Sequence, residues 1–273
     1  MLPRRVSFLL ITYDSCRYDV LAEAHTPVLD SFATPVPAQA PANFTYASHL
    51  AFFAGILPNA DDDLPYLNRF RKQLLGLREV GEGQVVKDSH VAVTSTWNLV
   101  AGLRDAGYQT VGTGAMSWFR QESLTAGFES FRYTGRDADA QVEFLAETID
   151  PSRPFFAFAN FGETHAPFTF RGGPGPCPVD VRARRMAWPP APEPGPVGRA
   201  NDGYRWQMAA AEFLDSRLPA LVERLPGETI VILTSDHGEC FGEDGYWGHG
   251  VNHPKVLEVP LAIFRLDREP LPD

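Results

Sequence analysis

Two adjacent residues, Asp236 and His237, follow an unbroken apolar run, Thr229 to Thr234. A carboxylate oxygen beside an imidazole nitrogen suits zinc, manganese and related divalent ions. A second carboxylate, Asp14, follows another apolar run, Val6 to Thr12; its plain alternative is an aspartate in a turn. A third run, Pro154 to Phe161, leads into Gly162-Glu163-Thr164-His165-Ala166-Pro167. Thr45 opens a segment with helical spacing, and there a threonine is either a simple N-cap or a nucleophile. A hydroxyl alone is almost fully protonated at neutral pH and inert. A divalent ion lowers the pKa of a bound water from 15.7 to about 7, and a helix N-terminus attracts anions, so the two together activate such a hydroxyl.

These groups need elements that bring them together. Val6–Thr12, Tyr108–Thr113, Pro154–Phe161, Thr229–Thr234 and Pro260–Phe264 are apolar runs of strand length. Between them the spacing predicts helices over Thr26–Phe32 (Thr26 as cap, Pro27 at the first helical position), Thr45–Ile56 closed by Gly55, Leu99–Ala106 and Ala138–Ile149. A further helix over Tyr204–Leu225 is expected to break near Pro219. Strands alternating with helices predict an α/β fold, a mostly parallel central sheet with helices on both faces. Ligands in such sheets bind beyond the carboxyl ends of the strands, where Asp14, His165, Asp236 and His237 all fall.

Composition narrows the function classes. The chain has 273 residues and a formal net charge of −10, with three lysines (Lys72, Lys87, Lys255). A nucleic-acid surface wants clustered cations, so none is expected. No stretch approaches the ~20 apolar residues of a membrane span. The apolar run at the N-terminus is short for a secretory segment of roughly 7 to 15 apolar residues and meets Asp14 at once. The expectation is a soluble, cytoplasmic protein. Three widely spaced cysteines, Cys16, Cys177 and Cys240, give neither a disulfide framework nor a zinc knuckle. The chain is expected to form one domain over residues 1–273. A stretch over 172–198 carries eight prolines and the arginines Arg182, Arg184 and Arg185, and is either a lid or a solvated loop.

Four stretches, in order, carry a family resemblance: LLITYDSCRYDVL, TYASHLAFFAGILP, NFGETHAPF and IVILTSDHGECFGEDGYWGHG. The chain resembles the alkaline phosphatase superfamily, and within it the sulfatase-like branch. The segment NLVAGLRDAGYQTVGTG is similar to the family's helix–strand unit. The resemblance implies a sulfatase-like sandwich with one divalent ion (Mn, Zn, Mg or Ca) held by Asp14, Asp236 and His237, with Thr45 at the nucleophile position against the ion. It implies that His165 and His249 contact substrate or move protons. His49, which falls where sulfatases place an arginine, and Asn43, near the transferring group, are implied to bind substrate. Trp247, two residues before His249, either lines the pocket or belongs to the core.

Thr45 stands where sulfatases carry the cysteine that becomes formylglycine, and the Cys-x-Pro-Ser-Arg signature is absent. The threonine resembles the phosphodiesterases and the phosphoethanolamine or glycerol-phosphate transferases instead. Two-metal members use an Asp-x-x-x-His pair for the second ion, and this sequence has none. A second ion is not favoured, although His165, His249 and His253 offer a partial site. The expected activity is hydrolysis or transfer of a phosphoryl group from a small, soluble phosphate mono- or diester. The alternatives are sulfate-ester hydrolysis, phosphomutase action, or an anion-binding protein without catalysis. His25 and His253 are expected to be structural, Cys16 and Cys240 to be buried small hydrophobes, Asp215 to pack or face solvent, and the run Asp61–Asp63 reads as a solvated loop. Trp97 and Trp118 are expected in the core.

Overall fold

The three apolar runs that precede the reactive groups lie side by side. A computed structural model describes residues 6–54, 98–179 and 195–267. β1 (Ser7–Tyr13) is flanked by β5 (Phe155–Phe161) and β6 (Thr229–Thr234) and runs parallel to both. β3 (Gln109–Gly114) and β4 (Ser130–Tyr133) extend the parallel set beyond β5. On the other side lie β9 (Glu258–Leu266) and β2 (Val36–Gln39), giving the order β2-β9-β6-β1-β5-β3-β4. The fold is thus a mostly parallel α/β sheet.

β9, expected over 260–264, is longer than that and antiparallel to β6. The chain leaving β6 stays at the strand ends, with only the short helix α9 (Pro254–Leu257) before it re-enters the sheet from that same end. A parallel return would need a crossover to the opposite end.

Alternation along the strands divides the core in two. Leu9, Ile11 and Tyr13 of β1 and Ala157, Ala159 and Phe161 of β5 face one way. There they pack against α2 (Pro27–Phe32), α6 (Ala138–Thr148), α7 (Asp202–Asp215) and α8 (Leu218–Val222). Phe8, Leu10, Phe156 and Phe158 face the other way, toward α3 (Thr45–Ala54), α4 (Leu99–Asp105) and α5 (Glu122–Thr125). Burial on both faces is why these strands read as continuous apolar runs. The expected break of the long helix falls at Ser216 and Arg217, with Pro219 in the first turn of α8, where a missing N–H costs nothing.

The register decides where the chemistry goes. Thr12 pairs with Asn160 on one side and with Thr234 on the other. Two residues further along each strand come Asp14, Gly162 and Asp236, side by side at the carboxyl edge. Residues 180–194 of the proline-rich stretch, with its three arginines, lie outside the described residues. So do Gly55, Trp97 and Asp61–Asp63.

Asp215, expected to pack or face solvent, has another task. Its carboxylate accepts from the backbone N–H groups of Val28 and Leu29 at 3.1 and 2.8 Å. It thereby caps α2 from a distant helix, while the Thr26 side chain makes no capping bond. Asp215→Ala should lower stability by about 1 to 2 kcal/mol, in line with loss of a cap. A urea denaturation midpoint equal to that of the parent would contradict this.

Candidate metal centre and reaction site

Asp14, Asp236 and His237 each offer a ligand atom, and these atoms lie within 4.8 Å of one another. All three side chains are fully buried. Burial raises the pKa of both carboxyl groups, and at Asp14 the negative Asp236 raises it further. The local hydrogen bonds show what the cluster lacks. Asp236 Oδ1 accepts from the backbone of Ser15 (3.1 Å) and of His237 (3.0 Å), whereas Oδ2 is buried with no hydrogen-bond partner. His237 Nδ1 lies 2.9 Å from the Gly238 carbonyl and therefore donates to it. The Nε2 lone pair then faces Asp236 Oδ2 at 3.4 Å and Asp14 Oδ1 at 4.0 Å. Two buried carboxylates, one orphaned oxygen and an imidazole oriented through its far nitrogen make a donor set that fits a divalent cation.

Thr45 begins α3, and its Oγ1 lies 3.4 Å from His237 Nε2. The hydroxyl and the first-turn N–H groups of a ten-residue helix therefore adjoin the carboxylates. His49, one turn further on, holds that turn in place. Asn160 Nδ2 donates to Thr12 Oγ1 (3.1 Å), so the Thr12 hydroxyl donates to His49 Nε2 (3.1 Å), and His49 Nδ1 donates to the Thr45 carbonyl (2.7 Å). Phe52, Phe119 and Phe158 surround the ring edge-on. Burial drops the His49 pKa to about 3, so the ring stays neutral. The sequence reading made His49 a substrate contact; here both its nitrogens are committed within the protein, where a longer arginine could reach further. Asn160 also donates to Asp14 Oδ2 at 3.1 Å, tying the carboxylate to the same network.

The loop after β6 brings in His249. β7 (Cys240–Phe241) and β8 (Trp247–Gly248) form a small hairpin in which Cys240 pairs with Gly248. The next pair outward is Glu239 and His249, and His249 Nδ1 lies 3.1 and 3.2 Å from the two oxygens of Glu239. Gly248 and Gly250, at φ 78° and 88°, let the chain reverse on either side of the imidazole. The His249 ring lies 4.3 Å from that of His237 and 5.2 Å from that of His165, centroid to centroid. His165 Nδ1 is 2.9 Å from Arg136 Nη2. Asn43 links the segment before Thr45 to this region through Asn252 (2.8 Å) and through its carbonyl, which accepts from Gly250 N. Trp247 is buried on the hairpin, against Gly242.

His253 is structural, as expected. It caps α9 by accepting from Lys255 N (3.0 Å) and meets Asp244 through Nε2 (3.1 Å). Cys16 and Cys240 are buried free thiols. Arg136, Glu239, Asn160 and Thr12 did not stand out in the sequence as site residues. The available signal was a polar residue inside an apolar strand, which marks Thr12 and Asn160.

A fully buried arginine fastens the loop that carries Asp14 to the loop that carries Asp236 and His237. Arg17 makes two bonds to Asp19 (2.8 and 2.7 Å), one to Glu243 (2.6 Å) and one to the Glu239 carbonyl (3.3 Å). Its guanidinium lies over the rings of Tyr204 and Phe241. Lys255 also binds Asp19, at 2.8 Å. Gly238 donates to Val256 O, and a Cβ there would meet the Lys255 carbonyl at 2.3 Å, so the loop needs glycine at that point.

The sulfatase family model matches residues 90–265, and the chain belongs to that family. It is 26% identical over 165 residues to "Uncharacterized sulfatase YidJ" of Escherichia coli (strain K12), covering 50% of this chain and 31% of that one. It is 46% identical over 56 residues to a phosphopentomutase of Pectobacterium atrosepticum, 20% of this chain and 12% of that one. The chain thus spans less than a third of either curated relative. Among solved structures, the periplasmic domain of Escherichia coli EptC in complex with Zn superposes with a TM-score of 0.59 at 13% identity, over 95% of this chain and 72% of that one. That likeness shows the fold, an alkaline-phosphatase-type sheet.

Burial pushes the Asp19 carboxyl up, but the bonds from Arg17 and Lys255 outweigh it and hold the pKa near 2, below the ordinary 3.8. A depressed folded-state pKa gives stability that is present above about pH 4 and lost as the pH falls toward 2. Asp19→Asn should cost on the order of 2 kcal/mol at neutral pH and flatten the acid limb. Urea midpoints of parent and variant between pH 7 and 2.5 test this, and parallel curves would refute it.

Proposed function

We infer that the chain is a hydrolase or transferase of phosphoryl groups, acting on small, soluble phosphate mono- or diesters, with Thr45 as nucleophile. One observation carries the reading: the Thr45 hydroxyl, at the N-terminus of α3, adjoins a buried set of two carboxylates and an imidazole. Asp14, Asp236 and His237 would hold one divalent ion, Mn, Zn, Mg or Ca, with Thr45 beside it. When bound, that ion supplies Lewis-acid charge, which favours the threonine alkoxide and draws charge from the phosphoryl oxygens.

The chain's own residues do the rest. The N–H groups at the start of α3 face an anion. Thr45 Oγ1, entering and leaving the cycle as the alkoxide, attacks phosphorus and the bond to the leaving oxygen breaks. His249, protonated at Nε2 for this step, gives that oxygen its proton and takes one back from the water or alcohol that follows, while the His165 N–H is hydrogen-bonded to the same oxygen. Water or an acceptor alcohol then attacks phosphorus and releases Thr45. Asn43 and Trp247 lie beside the transferring group, while His49 holds the first turn of α3. The setting proposed for this chemistry is the cytoplasm, with neither nucleic acid nor membrane as partner.

A second reading has support in the 56-residue match to a phosphopentomutase, in which the phosphoryl group would return to the same molecule. Sulfate-ester hydrolysis is the other alternative within the family. The cysteine that formylglycine chemistry requires is replaced by Thr45, and this weighs against it.

Elemental analysis of parent and Asp236→Ala should find one divalent ion in the first and none in the second. Nitrophenyl phosphate mono- or diester should be turned over by the parent, with loss of 100-fold or more, an order-of-magnitude expectation, in Thr45→Ala. Turnover of nitrophenyl sulfate alone would overturn the phosphoryl assignment. A metal-free parent without turnover would point to an anion-binding protein.

A further inference from the structure

The two imidazoles beside the metal set have opposite kinds of neighbour at the same ring nitrogen. His249 Nδ1 faces both oxygens of Glu239, at 3.1 and 3.2 Å. Glu239 is 1% exposed, and an ionised carboxylate can only accept. Nδ1 therefore carries the proton, and the neutral ring has its lone pair on Nε2. His165 Nδ1 faces Arg136 Nη2 at 2.9 Å, and a guanidinium can only donate. Nδ1 therefore carries the lone pair, and the neutral ring has its proton on Nε2.

One contact competes with the second assignment. The Ala166 carbonyl lies 2.8 Å from His165 Nδ1 and would accept a proton placed there. The same Arg136 Nη2, however, donates to that carbonyl at 2.8 Å, so the oxygen is already served. A proton on Nδ1 would also point at a cationic N–H. The charge-assisted bond from arginine is roughly twice as strong as a neutral one, and it decides the tautomer. Burial and the neighbouring His249 both hold the His165 pKa well below its usual value, which keeps the ring in the neutral form where tautomers matter.

We propose that Arg136 and Glu239 are positioning residues that set His165 and His249 in opposite tautomers, His165 presenting Nε2–H and His249 presenting an Nε2 lone pair. The pair then has divided tasks. His165 is a fixed hydrogen-bond donor to an ester oxygen, unable in this state to ligate a metal or take up a proton at Nε2. His249 presents the acceptor. The consequence for the reaction rests on the reading that these rings flank a phosphate ester; the tautomers themselves do not.

Histidine ring nitrogens report their tautomer directly in long-range proton–nitrogen NMR spectra of the metal-loaded, nitrogen-15-labelled protein. His165→Gln and His249→Gln assign the signals. In the parent, His165 should be protonated at Nε2 and His249 at Nδ1. Arg136→Leu should move the His165 proton to Nδ1, toward the Ala166 carbonyl, and Arg136→Lys should restore the parent pattern. With nitrophenyl phosphate as probe, Arg136→Leu should lower kcat on the order of tenfold to a hundredfold with KM little changed, again restored by lysine. A His165 proton on Nδ1 in the parent, or two rings with the same tautomer, would overturn the proposal whether or not any variant folds. The predicted tautomers in a protein that turns over no phosphate ester would sustain the proposal and overturn the functional reading.

Discussion

Placing two carboxylates next to each other in the interior is costly, because each loses its hydration and each repels the other. Asp14 and Asp236 are placed this way by the pairing of β1 with β6, which leaves the chain no means of separating them. Much of the surrounding structure answers that strain. Backbone N–H groups of Ser15 and His237 reach one oxygen, and Asn160 reaches across from β5 to another. What remains unanswered is Asp236 Oδ2, and a cation is the simplest partner for it.

The same demand explains why the site is supported so deeply. Asn160, Thr12, His49 and the Thr45 carbonyl form one directed line of hydrogen bonds from the centre of the sheet to the first turn of α3. Arg17 does the corresponding work on the opposite side, fastening the loop after β1 to the loop after β6. A hydroxyl nucleophile displaced by about 1 Å loses much of its advantage. One support fixes the first turn of α3, and the other fixes the loops that carry the carboxylates.

Much of this was legible from the amino acids, and the reasons are specific. Strands buried on both faces, such as Phe155–Phe161, announce themselves as apolar runs, and helices flanked by Thr26-Pro27 or interrupted at Pro219 carry local signals. Asp14, Asp236, His237 and Thr45 could be picked out because they follow or open such elements. β2, β4 and the hairpin were not foreseen, since four-residue and two-residue strands owe their form to their partners rather than to their own pattern. The direction of β9 depends on the path of the preceding loop, which no periodicity records. Arg136 and Glu239 escaped notice because their meaning lies in which imidazole nitrogen they touch. The family resemblance put His49 at a substrate-binding position, and only the side chains packed around it show that it points inward.

The alternation of β1 has an evolutionary corollary. Thr12 and Asp14 stand on the same face as α3 only because two residues separate them. A slip of β1 by one residue in its register would turn both to the opposite face and set Leu9 and Ile11 against α3. Insertions that shift this register should therefore be absent from active lineages. The place of the Asp14 carboxylate is thus tied to a counting rule two residues long, independent of the length of the loops that follow.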